Sequence, residues 1–132
     1  MVLGNNMKSL ALLLVSSLFF FAISDMSSAS NMEIVPDIPT KNTVTMVDLG
    51  AKTCIPCKMM APILEELKAE YKGRAEIIFI DVWEDRTKVK EFHILTIPTQ
   101  IFFNSNGEEV YRHIGFLDKE SIREKLESLL AE

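Results

Sequence analysis

Apolar residues fall along this chain in blocks whose period changes from one block to the next. Leu10 to Ile23 (LALLLVSSLFFFAI) is apolar apart from two serines, with Lys8 before it and the small-residue stretch Ser24 to Ser30 after it. Asn31 to Asn42 holds Pro36 and Pro39 between short apolar stretches, which predicts an extended entry with one short edge strand. Thr43 to Leu49 (TVTMVDL) is β-branched and apolar without a breaker, the pattern of a buried strand, and its one acidic member is Asp48. After a turn over Gly50 to Thr53 the period lengthens. A helix is expected from at or just before Cys57, with Met59, Met60, Ile63, Leu64, Leu67 and Tyr71 as its apolar stripe and Lys58, Glu65, Glu66, Lys68 and Glu70 outward. Pro62 should kink that helix rather than end it, since the period continues beyond it, and Gly73 should stop it.

Ala75 to Val82 (AEIIFIDV) is nearly continuous in apolar residues, as expected of a strand covered on both faces. Thr87 to Phe92 suits a short helix, and Ile97-Pro98-Thr99 leads into a strand over Gln100 to Phe103. Asn104 to Gly107 is a hairpin turn that returns the chain as Glu109 to His113. Asp118 is placed to cap a last amphipathic helix whose inner face is Ile122, Leu126, Leu129 and Leu130. A strand, a helix and another strand form a crossover that favours parallel neighbours. The order β, α, β, short α, hairpin, α therefore predicts an α/β fold, a central mixed β-sheet flanked by helices on both faces.

Composition adds a boundary and removes some partners. The positive residue, apolar run and small-residue stretch read as a secretory signal peptide over residues 1–29, with cleavage after Ala29 and export to a periplasmic or other extracytoplasmic space. The alternative is an uncleaved N-terminal membrane anchor, for which the run of fourteen residues, unless extended by its flanks, falls short of the ~20 that span a bilayer. Residues 30–42 then form the extended segment and residues 43–132 the folded domain, large enough for one hydrophobic core. The chain carries a net charge of −5 and no cluster of Lys and Arg, so nucleic acid and anionic membrane are not expected partners; proteins are.

The chain has two cysteines, Cys54 and Cys57, in Lys52-Thr53-Cys54-Ile55-Pro56-Cys57-Lys58. A bridge over two intervening residues constrains almost none of the unfolded chain and makes a poor staple. Two thiolates are half of a structural zinc site, and His93 and His113 lack metal-ligand spacing to them, so no metal is expected. What remains is a pair in the first turn of a helix that closes and opens a small-loop disulfide, exchanging electrons without a further cofactor.

With Asp48 six residues before the first cysteine, the CIPC pair, Lys58, the run Met59-Met60-Ala61-Pro62-Ile63-Leu64, Ile97-Pro98-Thr99, the Asn106-Gly107 hairpin and Gly115 before the last helix, the chain from Thr43 onward resembles the thioredoxin family. Helix position should lower the Cys54 thiol below the free value of ~8.5 and make it the attacking nucleophile. Cys57, more buried, is the resolving thiol. The resemblance gives Asp48 the role of base toward Cys57, burial raising its carboxyl pKa; a strand-end aspartate open to water or capping the turn is the other reading of that position. The resemblance also implies a cis Ile97–Pro98 bond against the cysteines and pairing of the Ile97 backbone with an extended substrate segment.

The departures are Thr53 where the family usually has Trp, Ile55 for Gly, Leu49 and Gly50 in place of an aromatic, and Ile77 for a lysine near the aspartate. Trp83, Met59 and Phe116 are expected to pack. The function implied is an exported thiol-disulfide oxidoreductase, a monomer that reduces disulfides of other exported proteins. It would draw electrons from a membrane thiol transporter and serve substrates such as the haem-attachment cysteines of apocytochromes c. Two alternatives stand beside it: a disulfide oxidase or isomerase of the same fold, and a non-enzymatic binding module on that scaffold.

Overall fold

The computed structural model describes residues 37–132. The expected leader, its cleavage site and the first part of the extended segment lie outside the described residues. Residues 37–43 are bends and turns, so the short strand expected in this segment is absent among the described residues. The elements are β1 (Val44–Gly50), α1 (Ile55–Glu70), β2 (Ala75–Asp81), α2 (Thr87–Glu91), β3 (Thr99–Phe103), β4 (Glu109–Ile114) and α3 (Lys119–Leu130).

The sheet has the order β2-β1-β3-β4. β1 runs parallel to β2 and antiparallel to β3, and β4 returns antiparallel to β3, so the sheet is mixed as the crossover and hairpin require. Strand alternation divides the apolar residues of β1 between two cores. Val44 and Met46 face Met60, Leu64 and Leu67 of α1 and Ile122, Leu126 and Leu129 of α3. Val47 and Leu49 face Ile101 and Phe103 of β3, with Phe92, Ile94 and Val89 around α2 on the opposite side of the sheet. All seven residues of β1 are buried.

Two expectations change. Among the described residues β2 is an outer strand of the sheet, and Ala75 and Ile77 are its fully buried residues. The short α2 gives thinner cover than α1 and α3 give on the other face. Met59 stays largely exposed. The inward line of α1 is Cys57, Met60, Leu64 and Leu67, spaced three, four and three, which leaves Met59 a residue off the line. Pro62 is inside a helix that continues to Glu70, as the period indicated.

The candidate redox site

α1 begins earlier than the apolar stripe suggested. Cys54 is its N-cap, in extended conformation, and its sulfur accepts from the Cys57 amide at 3.4 Å; Pro56 falls in the first turn, where its missing N–H costs nothing. This places Cys54 Sγ at the positive end of a sixteen-residue helix. Cys54 and Cys57 are joined in a disulfide with Cα atoms 5.2 Å apart. The pair is asymmetric: Cys54 is partly exposed, while Cys57 is 4% exposed.

The loop before the pair is held from β2. The Asp81 carboxylate accepts from the backbone N–H groups of Lys52 (2.9 Å), Trp83 (2.9 Å) and Glu84 (3.3 Å), and the Val82 amide donates to the Gly50 carbonyl at 2.9 Å. The Lys52 amide, first among these bonds, holds the Asp81 carboxyl below its ordinary value. At Gly50 the strand lies directly against the redox helix. A Cβ there would meet Cys57 Sγ and Phe79 Cε2, each at 3.1 Å. The aromatic expected after the aspartate has no room at this point.

Asp48 is two residues before Gly50 and so shares its face of β1, toward α1. It is fully buried, which removes the reading of a strand-end aspartate open to water. Burial raises its carboxyl pKa from 3.8 to about 6, and a hydrogen bond from Gln100 opposes that rise. Gln100 Nε2 donates to Asp48 Oδ1 at 2.7 Å and to Met60 Sδ at 3.0 Å, while Asp48 Oδ2 and Gln100 Oε1 have no hydrogen-bond partner among the described residues.

Across the sheet from Asp48 on β2 stands Phe79, and Ile77 pairs instead with Met46. Phe79 is thus the direct partner of the aspartate, and Ile77 lies diagonal to it on the same face of the sheet. Both residues are apolar, and β2 carries no Lys or Arg to stand in for the family's lysine.

Ile97–Pro98 is cis, as is Ile38–Pro39. Pro98 is buried and its carbonyl accepts from the Gly115 amide at 2.8 Å; Ile97 is partly exposed. Ile97 lines a pocket of about 480 Å³ together with Trp83, Leu95, Val89, Arg86 and Lys90. Trp83 is 56% and Leu95 95% exposed, so Trp83 belongs to a surface rather than to the packing expected of it. Phe116 is likewise 41% exposed. A second pocket of about 230 Å³ opens beside Cys57 between Ala61, Leu64 and Phe79, with Lys58 on its rim. Among the described residues no group of three or more His, Cys, Asp or Glu side chains could hold a metal ion.

A mixed four-stranded sheet with helices on both faces, carrying a disulfide-bonded C-x-x-C pair at a helix N-terminus, defines a thiol-disulfide oxidoreductase of the thioredoxin fold. The thioredoxin family model matches residues 26–128. Thioredoxins of Staphylococcus aureus strains Mu50, MW2 and N315 are each 40% identical to the chain over 94 residues, covering 71% of it and 89% of the relative. The chain belongs to the thioredoxin family, and its substrates are protein disulfides.

Two residues that shape the site were not singled out from the sequence, Gln100 and Asp81. Gln100 carried a usable signal, a polar residue entering the apolar run Ile101-Phe102-Phe103. Asp81 carried none, because an aspartate at a strand end is ordinary.

Proposed function

We propose that this protein is an exported reductant that opens disulfides of other exported proteins, with Cys54 as nucleophile, Cys57 as resolving thiol and Asp48 as proton acceptor. The observation that carries the assignment is the asymmetry of the pair: a partly exposed sulfur at the helix N-terminus with a buried one behind it. In the reduced protein the Cys54 thiolate attacks one sulfur of the substrate disulfide. That S–S bond breaks, a Cys54–substrate disulfide forms, and one substrate sulfur leaves as a thiol after taking up a proton. Cys57 then passes its proton to the Asp48 carboxylate and attacks Cys54 Sγ. The Cys54–Cys57 disulfide forms and the second substrate sulfur leaves, so two electrons have passed from the protein to the substrate.

The substrate segment runs in extended form beside Ile97 and Pro98, its backbone pairing with that of Ile97 and its side chains reaching the apolar groove of Trp83 and Leu95. Export rests on Lys8, the apolar run Leu10 to Ile23 and the small residues Ser24 to Ser30. A membrane thiol transporter supplies the electrons, the protein works as a monomer, and the haem-attachment cysteines of apocytochromes c are among its substrates. The reductant direction is supported by Ile97 before Pro98 and by Pro56 rather than histidine between the cysteines, both thioredoxin-like features. Equilibration with glutathione tests it: a potential near the ~−270 mV of thioredoxins supports a reductant, and one near the ~−120 mV of strong oxidants overturns it.

A further inference from the structure

The buried polar contact between β1, β3 and α1 holds more than the acceptor assignment requires. Asp48, Met60 and Gln100 are each 0% exposed. One amide group reaches all three elements: Gln100, opposite Asp48 in the β1–β3 register, donates to Asp48 Oδ1 at 2.7 Å and to Met60 Sδ at 3.0 Å, and Met60 is one helical turn after Cys57. Both N–H groups of the amide are thereby occupied, which fixes which side of the amide faces the carboxyl. Of the two carboxyl oxygens, Oδ1 is engaged and Oδ2 is left without a donor. A buried carboxylate oxygen without a donor is costly, and the group that can supply one on reduction is the Cys57 thiol.

We propose that Gln100 is a positioning residue for the proton-transfer step: its amide ties down Asp48 Oδ1 and leaves Oδ2 as the open acceptor toward Cys57. An amide suits this place because its N–H can donate to Oδ1 in either protonation state: when Asp48 is a carboxylate, and when it is an acid protonated on Oδ2, whose Oδ1 is still an acceptor. The acceptor is therefore held in both protonation states by a neutral group. A lysine in this place would hold the charged state alone, and a leucine neither. Asp48 lies on the α1-facing side of β1, two residues before Gly50, where an added Cβ would meet Cys57 Sγ at 3.1 Å; Phe79 pairs with Asp48 from β2, and Lys52, Lys58, Glu65 and Lys68 line the pocket beside Cys57. Burial and the Gln100 bond are the two influences on the Asp48 carboxyl.

This inference rests on Asp48 being the proton acceptor, so its test carries Asp48→Asn as a separate arm. The full chain is prepared as wild type, Gln100→Leu, Gln100→Met and Asp48→Asn. The Asp48 carboxyl is titrated by carbon-13 NMR in the oxidised protein, and insulin reduction is followed against pH. Losing a hydrogen bond to a charged group should move the Asp48 midpoint up by about one unit or more in both Gln100 variants. The limb of the rate profile that depends on Asp48 should move to higher pH with it. Gln100→Met keeps the side-chain length without an N–H, and serves if Gln100→Leu does not fold. If Asp48→Asn loses that limb while both Gln100 variants keep the wild-type midpoint and profile, Gln100 only packs and this inference alone is wrong. If Asp48→Asn keeps the limb, the acceptor reading itself fails and the inference with it.

Discussion

A carboxyl that holds its proton up to about pH 6 in the folded protein, against 3.8 ordinarily, makes stability depend on pH with a definite sign. Between those values the folded state binds more protons than the unfolded chain, so stability falls as pH rises. The contribution of Asp48 is fully present below about pH 4 and lost above about pH 6, a difference of roughly 3 kcal/mol. Asp48→Asn, which imitates the neutral acid, should stabilise the oxidised protein by up to roughly this amount at pH 8 and leave it nearly unchanged at pH 3.5. Urea unfolding at the two pH values measures it, and equal effects at both would contradict the burial argument. Asp48 was legible in the sequence because a carboxylate inside TVTMVDL has no other polar neighbour to explain it. Gln100 was passed over despite its place before Ile101-Phe102-Phe103, since the strand was expected to begin at Gln100; the ladder begins at Thr99, which makes Gln100 an interior residue. The direct partner of Asp48 on β2, Phe79, was not legible, because register comes from pairing and a single strand's pattern does not contain it.

Each long helix is anchored at its N-terminus by a side chain that does a second job or none. Cys54 caps α1 and is the redox sulfur, so cap and function are not separable there. Asp118 caps α3, accepting from the Ser121 amide at 3.0 Å and from its hydroxyl at 2.6 Å, well away in sequence from the cysteines. Asp118→Ala should therefore cost about 1 kcal/mol of stability. That corresponds to a melting point lower by about 4–8 °C, with the insulin-reduction rate at 25 °C unchanged. A fall in rate without a fall in melting point would show that α3 touches the site. Gly50→Ala should do the opposite. Its Cβ at 3.1 Å from Cys57 Sγ must push on the pair, so the redox potential should shift even though β1 is otherwise intact. Equal potentials for Gly50→Ala and wild type would show that the neighbours simply give way. The elements themselves were readable from their periods. Their limits were less so: α1 starts two residues before Cys57 because Pro56 is accepted in a first turn, and β2, outermost among the described strands, is only partly buried.

At the scale of the molecule, the sheet separates two apolar cores, and the redox pair stands where β1 gives way to α1. The βαβ crossover followed by a hairpin was enough to predict a mixed sheet with helices on both faces, since handedness and loop length leave few other arrangements. The groove of Trp83, Leu95 and Ile97 was not predicted, because exposure of a large apolar side chain is a property of the surface assembled from α2 and the Ile97–Pro98 turn. The reductant assignment has a consequence for the whole fold. In a reductant the disulfide form is the more stable one, so reducing Cys54–Cys57 should lower the melting point, and a rise on reduction would mark an oxidant instead. The central claim is that Cys54 attacks protein disulfides and Cys57 resolves the product. Mixing the reduced Cys57→Ala variant with an oxidised protein substrate and analysing the products by mass spectrometry tests this directly. A stable one-to-one mixed disulfide through Cys54, absent with Cys54→Ser and resolved by wild type, is the predicted result; no adduct, or an equal yield of adduct from Cys54→Ser through Cys57, would contradict it.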